Sequence, residues 1–126
     1  MKDSTKIIKV EISDTKKVLR KFAITLGKAM RGEKIKPHRG ISFESIDGLR
    51  NFLTNRRLEI ISVVKHKKPN SVYQLSKMLK RDLKSVNTDL KILKNNDFID
   101  FKEVKEGRKR LVPIVEFDKI NIIVKV

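Results

Sequence analysis

Between Ser71 and Phe117 the spacing of apolar residues switches from that of a helix to that of a strand, and this switch leaves few architectures open to the chain. Pro69 and Asn70 interrupt the preceding helical pattern. Ser71, with Gln74 three residues later, then forms a capping box at the head of a helix carrying Val72, Leu75, Met78 and Leu79. Only Lys80 and Arg81 separate that helix from Asp82, a good N-cap for a second helix whose Leu83, Val86, Leu90 and Leu93 recur at helical spacing. Two helices joined so tightly predict a helix-turn-helix. Beyond them, Phe98 to Val104 and Leu111 to Phe117 are rich in Phe, Val and Ile and flank a Gly107-containing loop, the pattern of a hairpin placed as a wing.

Upstream, Ile8, Val10 and Ile12 alternate with polar residues and predict a strand from Lys6 to Ser13. Ser13 or Asp14 then caps a helix whose Val18, Phe22, Leu26 and Met30, with Leu19 and Ala29 beside them, recur until Gly32. Glu33 to Gly40, with Pro37, reads as a linker. Ser45 opens a short helix with Ile46, Leu49 and Phe52 on one side, and Thr54 caps another with Leu58, Ile61 and Val64; both are expected to supply core. Ile120, Ile122 and Val124 form a terminal strand, expected to pair with the amino-terminal strand or with another subunit. The expected fold class is α+β, mainly α: residues 1–40 form a strand-helix extension, 41–117 a winged helix-turn-helix, and 118–126 a terminal strand.

The chain's 126 residues suffice for one compact domain with a short appendage. Its 31 lysines and arginines against 15 acidic residues give a formal charge of +16, which points to a polyanionic partner. The single tyrosine and the absence of tryptophan argue against a stacking platform for single strands and favour duplex DNA. With no cysteine there is no disulfide, thiol catalysis or cysteine zinc site. His38 and His66 have no partner at metal-ligand spacing, and the glycines form no phosphate loop, so neither a metal, a cofactor nor an enzymatic role is expected. No stretch has the length of a membrane span or the core of a secretory signal, so the expected setting is the cytoplasm, with no membrane partner.

On a wheel of about 100° per residue, the leucine stripe of the second helix gathers on one side. Lys84, Thr88 and Lys91 lie opposite, flanked by Ser85 and Asn87. Lysine bonds guanine or phosphate, asparagine pairs with adenine, and Ser or Thr donate or touch a thymine methyl, so this face suits a recognition helix in a major groove. On an isolated helix the same residues would serve simply as a solvated face. The loop places Lys105, Arg108, Lys109 and Arg110 together, diluted by Glu103 and Glu106, and suits a backbone or minor-groove contact; a basic tip also protects a sheet edge. Ser71, Tyr73, Arg81 and Arg57 are the expected phosphate contacts, with Arg57 alternatively paired to a carboxylate such as Glu59. Lys65, His66, Lys67 and Lys68 end a helix, where cations either offset its dipole or reach phosphate.

The segments Ile41 to Ser45, Leu53 to Leu58 and Ser71 to Ser76, then Arg81 with Asp82, Val86, and Asp89 with Leu90, resemble the small MarR-like winged-helix transcriptional regulators of prokaryotes. The resemblance covers most of the chain. It implies a homodimer formed by the strand-helix extension and terminal strand, with Val18, Phe22, Leu26 and Met30 as contacts, and it implies a repressor of its own operon. Some members are similar to antitoxins that hold a small toxin protein. The chain departs from the family in carrying Lys80 and Asp97 where glycine is usual, which predicts a turn at Lys80 that is either strained or differently shaped. Rival readings are an antitoxin whose main partner is the toxin, an RNA-binding protein, and a nonspecific chromatin-like protein.

Overall fold

The computed structural model describes residues 6–13, 15–32 and 40–125; the side chains of 15–19, 21 and 40 are not among those described. The fold is α+β and mainly helical, with the order β1 (Ile7–Ile12), α1 (Thr15–Met30), β2 (Gly40–Phe43), α2 (Ile46–Phe52), α3 (Asn55–Lys67), α4 (Val72–Leu79), α5 (Leu83–Asn95), β3 (Asp100–Val104), β4 (Arg110–Ile114) and β5 (Lys119–Val124). It divides into two units, one of residues 1–51 with 118–126 and one of 52–117. This division differs from the expected boundary near residue 40: the segment 41–51 and the terminal strand both go with the amino-terminal unit.

The first unit is built on a parallel sheet of order β2-β1-β5. Parallel neighbours require a crossover connection, and α1 is the one between β1 and β2. Of the two partners foreseen for the terminal strand, the structure uses the amino-terminal strand. Val10 lies opposite Ile41 and Ile122, and Ile12 opposite Phe43 and Val124, so apolar residues share one face of all three strands. Ile8, Val10 and Ile12 on the central strand are buried. Asp118 anchors the return of the chain: its N–H donates to the Lys6 carbonyl at 2.7 Å, and its carboxylate accepts from the Lys6 N–H at 3.1 Å. Strand β2 starts at the last residue of the expected linker and was not foreseen, because four residues are too few to show a period. Asp14, Pro37, His38 and most of the expected linker lie outside the described residues.

In the second unit, α3, α4 and α5 precede the antiparallel hairpin β3–β4. Thr54 caps α3 by accepting from the Arg57 N–H at 3.2 Å. Ser71 caps α4 by accepting from the Gln74 N–H at 3.0 Å, while the Gln74 side chain reaches back to the Asn70 N–H, one residue before the cap. The core is formed by Ile60, Leu75, Val86, Leu90, Leu93 and Phe98. Phe98 stands against Phe52 and Phe117, at ring separations of 5.2 and 5.9 Å, so the residues that begin and end the unit close on one ring. Three side chains expected in the core are instead exposed: Ile46, Leu58 and Leu83. Each lies in the first or second turn of its helix, where a wheel counts neighbours that a helix end lacks. Ile60, not singled out from the sequence, is fully buried in place of Leu58.

Candidate nucleic-acid interface

The turn between α4 and α5 is made by Lys80 in the left-handed region, φ 54° and ψ 43°. Its N–H donates to the Lys77 carbonyl at 3.2 Å, and the Arg81 N–H to that of Ser76 at 3.1 Å, which satisfies carbonyls left over at the helix end. Asp97, the second departure from glycine noted above, is also left-handed at φ 62°, and Lys68 is a further non-glycine residue at positive φ that no sequence signal marked. Chain reversal is immediate: Asp82 already caps α5, its carboxylate accepting from the Ser85 N–H at 2.9 Å and the Ser85 hydroxyl at 2.8 Å. Those two bonds, the N–H first, hold the Asp82 carboxyl below its ordinary range.

α5 buries Val86, Leu90 and Leu93 and exposes Lys84, Asn87, Thr88 and Lys91. The Thr88 hydroxyl donates to the Lys84 carbonyl at 3.0 Å, which leaves its lone pairs and methyl to the outside. Ser85 is different: half-buried, with its hydroxyl donated to Asp82, it belongs to the cap rather than to the exposed ridge. Tyr73 on α4 is 60% exposed, and the Lys77 ammonium lies 5.2 Å from its ring centre. Lys80 is exposed at the adjacent turn. The expected phosphate contact Ser71 has its hydroxyl engaged by the Gln74 N–H.

Arg57 and Arg81 are placed otherwise than the sequence suggested. The Arg57 Nε donates to Asp89 Oδ1 at 3.0 Å and the Arg81 Nη2 to Asp89 Oδ2 at 2.8 Å. All three side chains are 13–15% exposed, so these guanidinium groups are built into the interior and are not surface cations. The alternative foreseen for Arg57 was a nearby carboxylate such as Glu59, two residues away; the carboxylate used comes from another helix. A sequence signal existed: Asp89 sits on the edge of the α5 leucine stripe, where a carboxylate needs a cation.

In the hairpin, Gly107 takes φ 75°, and Lys105, Arg108 and Lys109 are exposed around it. Lys109 lies 2.8 Å from Glu103 across the strands. Arg110 is drawn inward: its Nε donates to the Asn70 carbonyl at 3.0 Å, tying β4 to the loop before α4. At the far end of α5, Lys94 and Asp100 pair at 2.8 Å, which raises the Lys94 pKa and lowers that of Asp100. The second unit therefore exposes lysine, asparagine and threonine on α5 and lysine and arginine on the hairpin loop, groups that bond phosphates and base edges.

In the first unit, Phe22, Ile24, Leu26 and Met30 of α1 are all exposed, Met30 by 81%; the Val18 side chain lies outside the described ones. Among the described residues there is no cluster of three or more His, Asp or Glu able to hold a metal ion, and no helix long and apolar enough to cross a membrane. A family model described as HVO_A0114 matches residues 52–122, which takes in the whole second unit and the start of β5. No curated protein and no solved structure matches the chain.

Proposed function

The chain belongs to the HVO_A0114 family; from the geometry of its second unit we propose that it is a MarR-like winged helix-turn-helix regulator that binds double-stranded DNA in a sequence-specific way, a binding protein rather than an enzyme. α4 and α5 are the helix-turn-helix in this proposal, and β3–β4 is the wing. The observation that carries it is the division of α5 into a fully buried face and a ridge of Lys84, Asn87, Thr88 and Lys91, with nothing acidic among those four exposed groups. A major groove is wide enough for one helix, and residues of these types distinguish its base pairs. Lys105 and Arg108 then lie on flanking phosphate or in a minor groove, and the net charge of +16 draws the molecule to DNA. Tyr73, Lys77 and Lys80 replace Arg57 and Arg81 as the proposed backbone contacts of α4 and the turn.

The test is selection of bound duplexes from a random pool, followed by titration of the enriched sequence with Lys84→Glu and Lys91→Glu. Each change is expected to weaken binding roughly tenfold or more, the discrimination that one base contact provides. No enriched duplex, or equal affinity for structured RNA at the same salt, defeats the proposal.

We further propose a homodimer that covers α1, whose Phe22, Leu26 and Met30 otherwise leave a helix face in water. Repression of the chain's own operon is the proposed output of such a dimer. A second reading has one observation in its favour: α1 contains Lys16, Lys17, Arg20, Lys21 and Lys28 and no acidic residue, a composition that repels its copy and suits a small acidic partner of the toxin kind. Sedimentation equilibrium of the purified chain separates them, a dimer that Leu26→Lys dissociates supporting the first and a stable monomer the second.

A further inference from the structure

The DNA-reading proposal leaves the Arg57–Asp89–Arg81 triad without a role. Arg57 lies in the first turn of α3, Arg81 in the turn after α4, and Asp89 midway along α5. One carboxylate thus ties the reading helix to two other elements, through bonds of 3.0 and 2.8 Å. Arg57 is itself fixed, its Nη1 donating to the Phe52 carbonyl at 2.7 Å.

Fold stability is a poor account of this arrangement. The three charged side chains are only 13–15% exposed, and the Arg81 Nε and Nη1 atoms are buried without an acceptor. Burying charges in this way returns little or nothing over apolar side chains of the same size. What the triad does supply is direction. Val86, Leu90 and Leu93 hold α5 by apolar burial, which is non-directional, whereas hydrogen bonds to both oxygens of Asp89 fix its direction. With side chains reaching about 5–6 Å from a helix axis, a rotation of roughly 20° carries their ends about 2 Å. Hydrogen bonds to base edges span a range of only about 0.5 Å, so they would break. Flexible lysines would still find phosphates.

We infer that Asp89 is a positioning residue: gripped by Arg57 and Arg81, it sets the rotation of α5 and thereby the ratio of specific to nonspecific DNA affinity. The inference rests on the DNA-reading proposal and adds to it a determinant that touches no DNA.

The experiment uses the full chain and its Asp89→Asn variant. Fluorescence anisotropy is measured at one salt concentration on the duplex that the wild type selects and on a scrambled duplex of equal length and composition. The variant, shown by circular dichroism to be folded, is expected to lose at least tenfold in the affinity ratio, while its affinity for the scrambled duplex holds or rises because one negative charge is gone. Asp89→Glu, which keeps the charge, is expected to restore part of the ratio. If Asp89→Asn does not fold, Arg81→Lys takes its place and should lower the ratio several-fold, since an ammonium keeps the charge but not the planar fork. A folded variant that retains the wild-type ratio, with or without lower thermal stability, overturns the inference alone. A wild type that prefers neither duplex overturns the DNA-reading proposal and this inference with it.

Discussion

Replacing Lys80 by glycine should make the second unit more stable than replacing it by alanine. Lys80 holds φ 54° and ψ 43°, where the Cβ of an L-residue crowds the following carbonyl at a cost of about 1–2 kcal/mol. Glycine escapes that strain and loses roughly 0.5–1 kcal/mol of backbone entropy on folding. Both substitutions remove the ammonium, and both keep the N–H that donates to the Lys77 carbonyl, so the comparison isolates the backbone. The expected difference is about 0.5–1 kcal/mol in favour of glycine. For a unit of this size, 1 kcal/mol moves the midpoint by about 4–8 °C, so the glycine variant should melt roughly 2–8 °C above the alanine one. Tyr73, the single tyrosine, sits on α4 and makes its fluorescence a probe of this unit. Equal midpoints, or an alanine variant that melts higher, would refute a left-handed turn between α4 and α5.

Two further outcomes follow from the geometry. Replacing Lys105 and Arg108 by alanine should flatten the salt dependence of DNA binding by about one unit for each phosphate that the hairpin ceases to neutralise, and an unaltered slope would mean that the hairpin stays off the duplex; the same change at Lys109, 2.8 Å from Glu103, should have the smaller effect. Because the Asp82 pKa is lowered in the folded chain, the stability it contributes is complete above its ordinary value of 3.8 and is lost as pH falls through the lowered one. Asp82→Asn, which caps without titrating, should therefore show a shallower loss of stability in acid. Identical acid titrations of the two proteins by circular dichroism would contradict this.

Elements whose causes are local can be read directly from the residues. Ser71 with Gln74, Thr54 and Asp82 announce helix starts because a cap bonds an N–H three residues ahead. The stripe of Val86, Leu90 and Leu93 and the loop around Gly107 are equally short-range, and so the three helices, the hairpin and the exposed ridge of α5 were legible. At Lys80 the residues left a strained or a differently shaped turn open, and the structure takes the left-handed one. Whatever depends on distant neighbours was settled only by the fold. It recruited Gly40–Phe43 as a strand beside β1 and joined β5 to the same sheet. It left Ile46, Leu58 and Leu83 in water, since packing at a helix end is set by whichever element lies alongside. Above all it chose partners for charge. Asp89 lies 32 residues from Arg57, and Arg110 lies 40 from the carbonyl it binds, distances at which composition announces a cation but only the fold determines whether it meets a carboxylate, a backbone oxygen or the solvent.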